Sequence, residues 1–108
     1  MSYQLSPTTN DKFMFTLKAE NHKVILTSQV YEQKQSALAG IESVQLNGPD
    51  AKNFETRVSV ANEPYFVLKA QNGLIIGTSE MYSSTAALDV GIASVQANAP
   101  SKEITTVA

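Results

Sequence analysis

One stretch of this chain occurs twice, and that duplication limits what the chain can fold into. The clearer copy runs from Phe66 to Pro100, FVLKAQNGLIIGTSEMYSSTAALDVGIASVQANAP, and the earlier one from Phe15 to Pro49, FTLKAENHKVILTSQVYEQKQSALAGIESVQLNGP. Matching residues stand at a constant offset of 51 positions, with no insertion or deletion. A unit of about 50 residues is near the smallest size that one hydrophobic core can hold together. The copies are therefore expected to share one core, as a single domain over residues 1–108 with repeats at about 12–60 and 64–108. A hydrophobic content of 43% is enough to build it.

Within each copy the periodicity changes once. Phe13, Phe15, Leu17 and Ala19 alternate with Met14, Thr16, Lys18 and Glu20, and Phe66, Leu68 and Ala70 alternate with Val67, Lys69 and Gln71. A period of two is that of a strand with one buried face. Asn72-Gly73 tolerates the positive φ of a two-residue hairpin turn, and Asn21-His22 stands in its place in the first copy. Return strands are expected over Lys23–Gln29 and Leu74–Glu80. Ser83, Ser84 and Thr85 then precede an alanine-rich segment, as helix caps do. Leu88, Gly91, Ile92, Val95 and Ala99, with Ala37, Gly40, Ile41, Val44 and Gly48 in the first copy, form one apolar helical face. A glycine inside a helix costs roughly 1 kcal/mol relative to alanine, so Gly40 and Gly91 imply close approach of the helix to a strand. Asn47 and Asn98, each shortly before a proline, suit left-handed helix ends. Further strands are expected at Phe54–Val60 and Glu103–Val107. Residues 1–11 show little periodicity and read as a flexible tail. The whole reads as an α+β domain of two ββαβ units, with one antiparallel sheet and the helices packed on one face.

The string LKAQNGLIIGTSEMYSSTAALDVGIASVQANAP resembles the YegP-like repeat of the UPF0339 (DUF1508) family, whose pattern is roughly F-x-L-K-A-x-N-G-x-x-I-x-x-S-E-x-Y-x-S followed by G-I-x-S-V-x-x-N-A. The second copy matches almost throughout. The first departs at His22, Gln29, Glu32, Gln33 and Gly48. The resemblance implies tandem repeats on one sheet that exchange their C-terminal strands, so that Phe54–Val60 pairs with the second half and Glu103–Val107 returns to the first. It implies no biochemical activity.

Composition narrows the function. There is no cysteine, so disulfides and thiolate chemistry are excluded. His22 is the only histidine, which rules out histidine-rich metal sites and nucleophile–base triads with a second histidine. No metal or cofactor is expected. A net charge of −2 gives no overall attraction to nucleic acid or an anionic membrane, and no segment reads as a membrane span or a secretion signal. A cytoplasmic monomer is the expectation, with a homodimer through the edge segment 103–107 as the alternative.

Most polar residues shared by both copies have structural roles in this reading. Asn21 and Asn72 serve turns, Ser28 and Ser79 cap the entry to the helices, Ser43 and Ser94 fill tight space, and Tyr31 and Tyr82 anchor half-buried rings. Lys18 and Lys69 differ, because lysine has no advantage mid-strand on an outward face. With Thr16 and Val67 they make the candidate binding surface, suited to a protein or an anionic ligand. The leading reading is a non-enzymatic binding or accessory module. RNA or single-stranded DNA on the same face is one alternative, weakened by the inward phase of Phe15 and Phe66. The other is an enzyme with two carboxylates between the repeats, drawn from Glu20, Glu32, Glu42, Glu55, Glu63, Glu80, Asp89 and Glu103.

Overall fold

The apolar side of the alternation becomes the inner face of a sheet. The computed structural model describes residues 2–107 and places in chain order β1 (Ser2–Pro7), β2 (Phe13–Lys18), β3 (Val24–Thr27), α1 (Lys34–Asn47), a 3-10 turn (Ala51–Asn53), β4 (Phe54–Val58), β5 (Pro64–Lys69), β6 (Ile75–Thr78), α2 (Thr85–Asn98) and β7 (Ile104–Thr106). All seven strands share one sheet, ordered β4-β5-β6-β3-β2-β1-β7. Phe15, Leu17, Leu26, Phe66 and Leu68 are buried with Ala37, Ile41 and Val44 of α1 and Leu88 and Val95 of α2 in one continuous core. The fold is α+β, with both helices packed into that core. The halves of the sheet meet at a single register pair, Thr27↔Thr78 between β3 and β6.

Residues 2–7 correct the expectation of a tail. They form β1, antiparallel to β2, with Tyr3 opposite Leu17. Phe54 of β4 stands opposite Leu68 of β5 in the same way. So β1 is the counterpart of β4 on a repeat that lacks its sequence signature. Tyr3 and Leu5 are fully buried, and the Tyr3 hydroxyl donates to the Ala99 carbonyl at 2.6 Å. Two alternating apolar residues beside proline, threonine and asparagine are too few to show a period. The sheet is also mixed rather than wholly antiparallel: β4 pairs with β5, whereas β7 lies parallel to β1. With β1 beside β2, β7 lies one strand further out.

Burial holds the Tyr3 phenol well above its ordinary pKa. A group whose folded pKa is raised contributes stability that is intact below its unfolded value, near 10 for tyrosine, and is lost as pH rises beyond it. Unfolding free energy should fall above pH about 10. Tyr3→Phe should lessen that fall while costing about 1 kcal/mol at neutral pH through the lost hydrogen bond. Urea titrations of both proteins across this range check it. Tyr31 and Tyr82, also raised by burial, keep part of the fall in place.

The hairpins are three-residue rather than two-residue turns. Ala19 N–H donates to Lys23 O and His22 N–H to Ala19 O, both at 2.9 Å, and Ala70, Leu74 and Gly73 repeat this pattern. The third loop residue is left-handed, with φ of 65° at His22 and 84° at Gly73. This is a turn closed by a bulge, which explains why register slips between Leu17 and Lys18 and between Leu68 and Lys69. Ser28 and Ser79 are not helix caps. Each Oγ accepts the Phe15 or Phe66 N–H at 2.9 Å and donates to the next residue's carbonyl, so both stitch the inner strands together. Ser84 does cap α2, accepting the Ala87 N–H.

Asn47 and Asn98 are not left-handed ends either, since the residues that follow them keep helical angles. Their amides donate back to the Ser43 and Ser94 carbonyls at 2.8 Å. The two helix ends meet where a Cβ on Gly48 would lie 2.4 Å from that of Ala99. There is room for one methyl, which accounts for glycine in one copy and alanine in the other. Gly48→Ala should therefore destabilise by about 1–3 kcal/mol, the usual cost of overpacking. An unchanged urea midpoint would show that the helix ends separate freely.

Candidate functional site

The side of the sheet away from the core carries the outward half of every alternation. On β2 these residues are Met14, Thr16 and Lys18, and on β5 they are Tyr65, Val67 and Lys69. Thr16 pairs with Thr27, Thr27 with Thr78, and Thr78 with Val67. Those four side chains make one row that crosses the junction between the repeats. The expected residues Thr16 and Val67 are its two ends. Thr27 and Thr78 at its centre escape the sequence reading, because only the β3–β6 pairing reveals them.

The two lysines are not brought together. They lie two residues from the row in opposite directions, on strands separated by β3 and β6. Three strand spacings of about 4.8 Å and four residues at about 3.4 Å each place their Cα atoms about 20 Å apart. They also differ in partner. Lys69 Nζ bonds Glu55 Oε1 at 2.7 Å, and Arg57 Nε bonds Glu55 Oε2 at 2.5 Å. The Lys69 and then the Arg57 hydrogen bonds hold the Glu55 carboxyl below the usual range, and Glu55 in turn raises Arg57. In the first repeat Gln4 takes the place of Glu55 and Ser6 that of Arg57. Among the described residues, Lys18 forms no ion pair. Val67 is only 2% exposed, so it supports the face without offering contact area.

Beside the row lies a groove of about 430 Å³ lined by Val24, Thr27, Gln29, Ile75, Thr78 and Glu80. Its residues come in pairs 51 positions apart, so it lies on the pseudo-twofold axis of the duplication. Val30 and Met81, also an offset pair, are exposed apolar residues in the chain that follows β3 and β6. Each of five surface grooves among the described residues holds a single carboxylate, so none of these five brings together the pair that the carboxylate reading needs. His22 is exposed at a hairpin tip. Among the described residues no three of His, Asp and Glu group as metal ligands would, and no helix is long and apolar enough to cross a membrane. Phe15 and Phe66 are fully buried, so neither offers a stacking surface to a base.

The sheet, its two helices and the duplicated register recur in known proteins. The sequence model of a domain of unknown function, DUF1508, matches the chain twice, at residues 9–55 and 59–105. A UPF0339 protein of Shewanella oneidensis is 55% identical over 96 residues, covering 89% of this chain and 87% of its own. The UPF0339 protein YegP of Yersinia pestis is 48% identical, over 89% and 86%. The solution NMR structure of a Shewanella oneidensis UPF0339 protein superposes with a TM-score of 0.90 at 52% identity, covering 96% of this chain and 88% of that one. That of yegP from E. coli, a protein of unknown function, gives 0.91 at 41% identity, over 96% and 90%. With both repeats matched and about half of all residues shared with these relatives, the chain belongs to the UPF0339 family of tandem DUF1508 repeats.

Proposed function

We propose that this protein is a small non-enzymatic binding module whose contact surface is the outer face of its sheet. The observation that carries the reading is the row from Thr16 through Thr27 and Thr78 to Val67, a surface shared by both repeats beside a groove on their axis. Lys18, with no ion pair among the described residues, supplies the charge that an acidic partner would meet. Lys69 contributes less, because Glu55 already neutralises it. Single-stranded nucleic acid is the weaker occupant, since such surfaces pair basic grooves with exposed rings and both conserved-register phenylalanines face the core.

The test uses two baits against a lysate, wild type and Lys18→Glu/Thr27→Glu, with Glu42→Lys on α1 as a control variant. Material held by wild type and the control but lost by the double variant supports the sheet face. Equal capture by all three would remove that face from the site. If the captured material is nucleic acid whose binding falls steeply with salt, the contact is to phosphates and the protein-partner reading gives way.

A further inference from the structure

The duplication contains its own control for a second site. A cleft of about 440 Å³ lies between α2 and the β2–β3 hairpin, and among its walls are Ala19, Lys23, Ile25, Glu80, Tyr82 and Val90. That volume falls within the range of small-molecule sites, which are mostly apolar with a few polar groups turned inward. Ile25 is buried at the wall, while Val90 is 70% exposed, an apolar side chain with little cover. Lys23 and Glu80 are opposite charges on one cleft, yet among the described residues neither forms an ion pair. At the positions 51 residues away, between α1 and the other hairpin, Leu74 replaces Lys23 and Gln29 replaces Glu80. Both charges therefore belong to one repeat-to-repeat cleft and are absent from its counterpart, although the apolar positions Ala19, Ile25 and Tyr82 are kept as Ala70, Ile76 and Tyr31.

We propose that this cleft binds a small aliphatic zwitterion, an α-amino acid or dipeptide, with its carboxylate on Lys23, its ammonium on Glu80 and its side chain against Ile25 and Val90. Two uncompensated charges of opposite sign beside an apolar wall match that ligand class. A ligand with only one charge would leave the other side chain without its partner. The cleft shares Glu80 with the groove beside the threonine row, but none of the residues of the row itself lines it, so the proposal does not rest on the outer-face reading.

The experiment is an amide NMR titration of the labelled full chain with L-leucine and with leucyl-leucine. 4-Methylpentanoate and isoamylamine serve as single-charge analogues. The expected result is saturable shifts at residues 19–25, 80–82 and 87–94 with at least one zwitterion, and binding about tenfold weaker or more for either analogue. Lys23→Leu/Glu80→Gln, which gives the cleft the residues of its counterpart, should weaken binding by a similar factor. Both positions are exposed, so the variant spectrum should otherwise overlay on wild type. No saturable shift with either zwitterion overturns the proposal. So does equal binding of a single-charge analogue, or undiminished binding to a folded double variant.

Discussion

Phe66→Ala is expected to lower the unfolding free energy by about 3–5 kcal/mol, the range for deleting a buried phenylalanine side chain. Phe66 is fully buried in the middle of three rings. Phe54 meets it edge-on at 5.5 Å, and Tyr82 stacks on it at 6.1 Å with 13° between the planes. Removing the central ring leaves a cavity and takes a packing partner from both neighbours. Domains of this size hold roughly 5–15 kcal/mol in total, so the variant should be partly unfolded in mild denaturant. Phe15, fully buried between Tyr3 and Tyr31 at 6.1 and 6.2 Å, should behave alike. Urea unfolding measures the loss, and a loss below about 1 kcal/mol would mean that the rings re-pack around the gap.

Gly91→Ala should destabilise by about 1–3 kcal/mol, although alanine is the better helix former by roughly 1 kcal/mol. The sequence reading placed a strand against this glycine, but the neighbour is a ring. A Cβ there would lie 2.2 Å from the Tyr82 hydroxyl oxygen and 2.5 Å from Cζ. A Cβ on Gly40 would in the same way lie 2.4 Å from the Tyr31 hydroxyl oxygen. The tyrosine is stacked on Phe66 and half-buried, so the clash passes into the aromatic triad. This account implies a reversal of sign. In a Tyr82→Ala background the clash is gone, and Gly91→Ala should become neutral or stabilising by up to about 1 kcal/mol. Denaturation of the four proteins in this cycle decides it, and two additive losses would place the cause elsewhere.

These residues also show why some of the fold was legible in the sequence and some was not. The period-two runs around Phe15 and Phe66 and the helical faces around Ile41 and Val95 announce themselves because burial repeats with the backbone. The second copy made the first readable despite its substitutions. Strand β1 was hidden because its resemblance to β4 is one of position, with Tyr3 serving where Phe54 does. Turn type was missed at Asn72-Gly73 because a glycine tolerates positive φ in either kind of hairpin. Asn47 and Asn98 read as left-handed helix ends, yet their amides fold back on Ser43 and Ser94. At the candidate site the sequence pointed to Lys18 and Lys69 by symmetry. Only strand order shows that this symmetry carries them apart, and only Glu55 shows that one of them is already paired. Thr27 and Thr78 have no chemical signature of their own, and their place at the centre follows from tertiary pairing alone.

The most direct test of the outer-face account is the amide spectrum of labelled protein with and without the material that wild type captures. The account predicts shifts at Thr16, Lys18, Thr27 and Thr78, with the exposed helix positions Glu42, Leu46 and Asp89 unmoved. Shifts confined to the helices, with the threonine row unmoved, would contradict it.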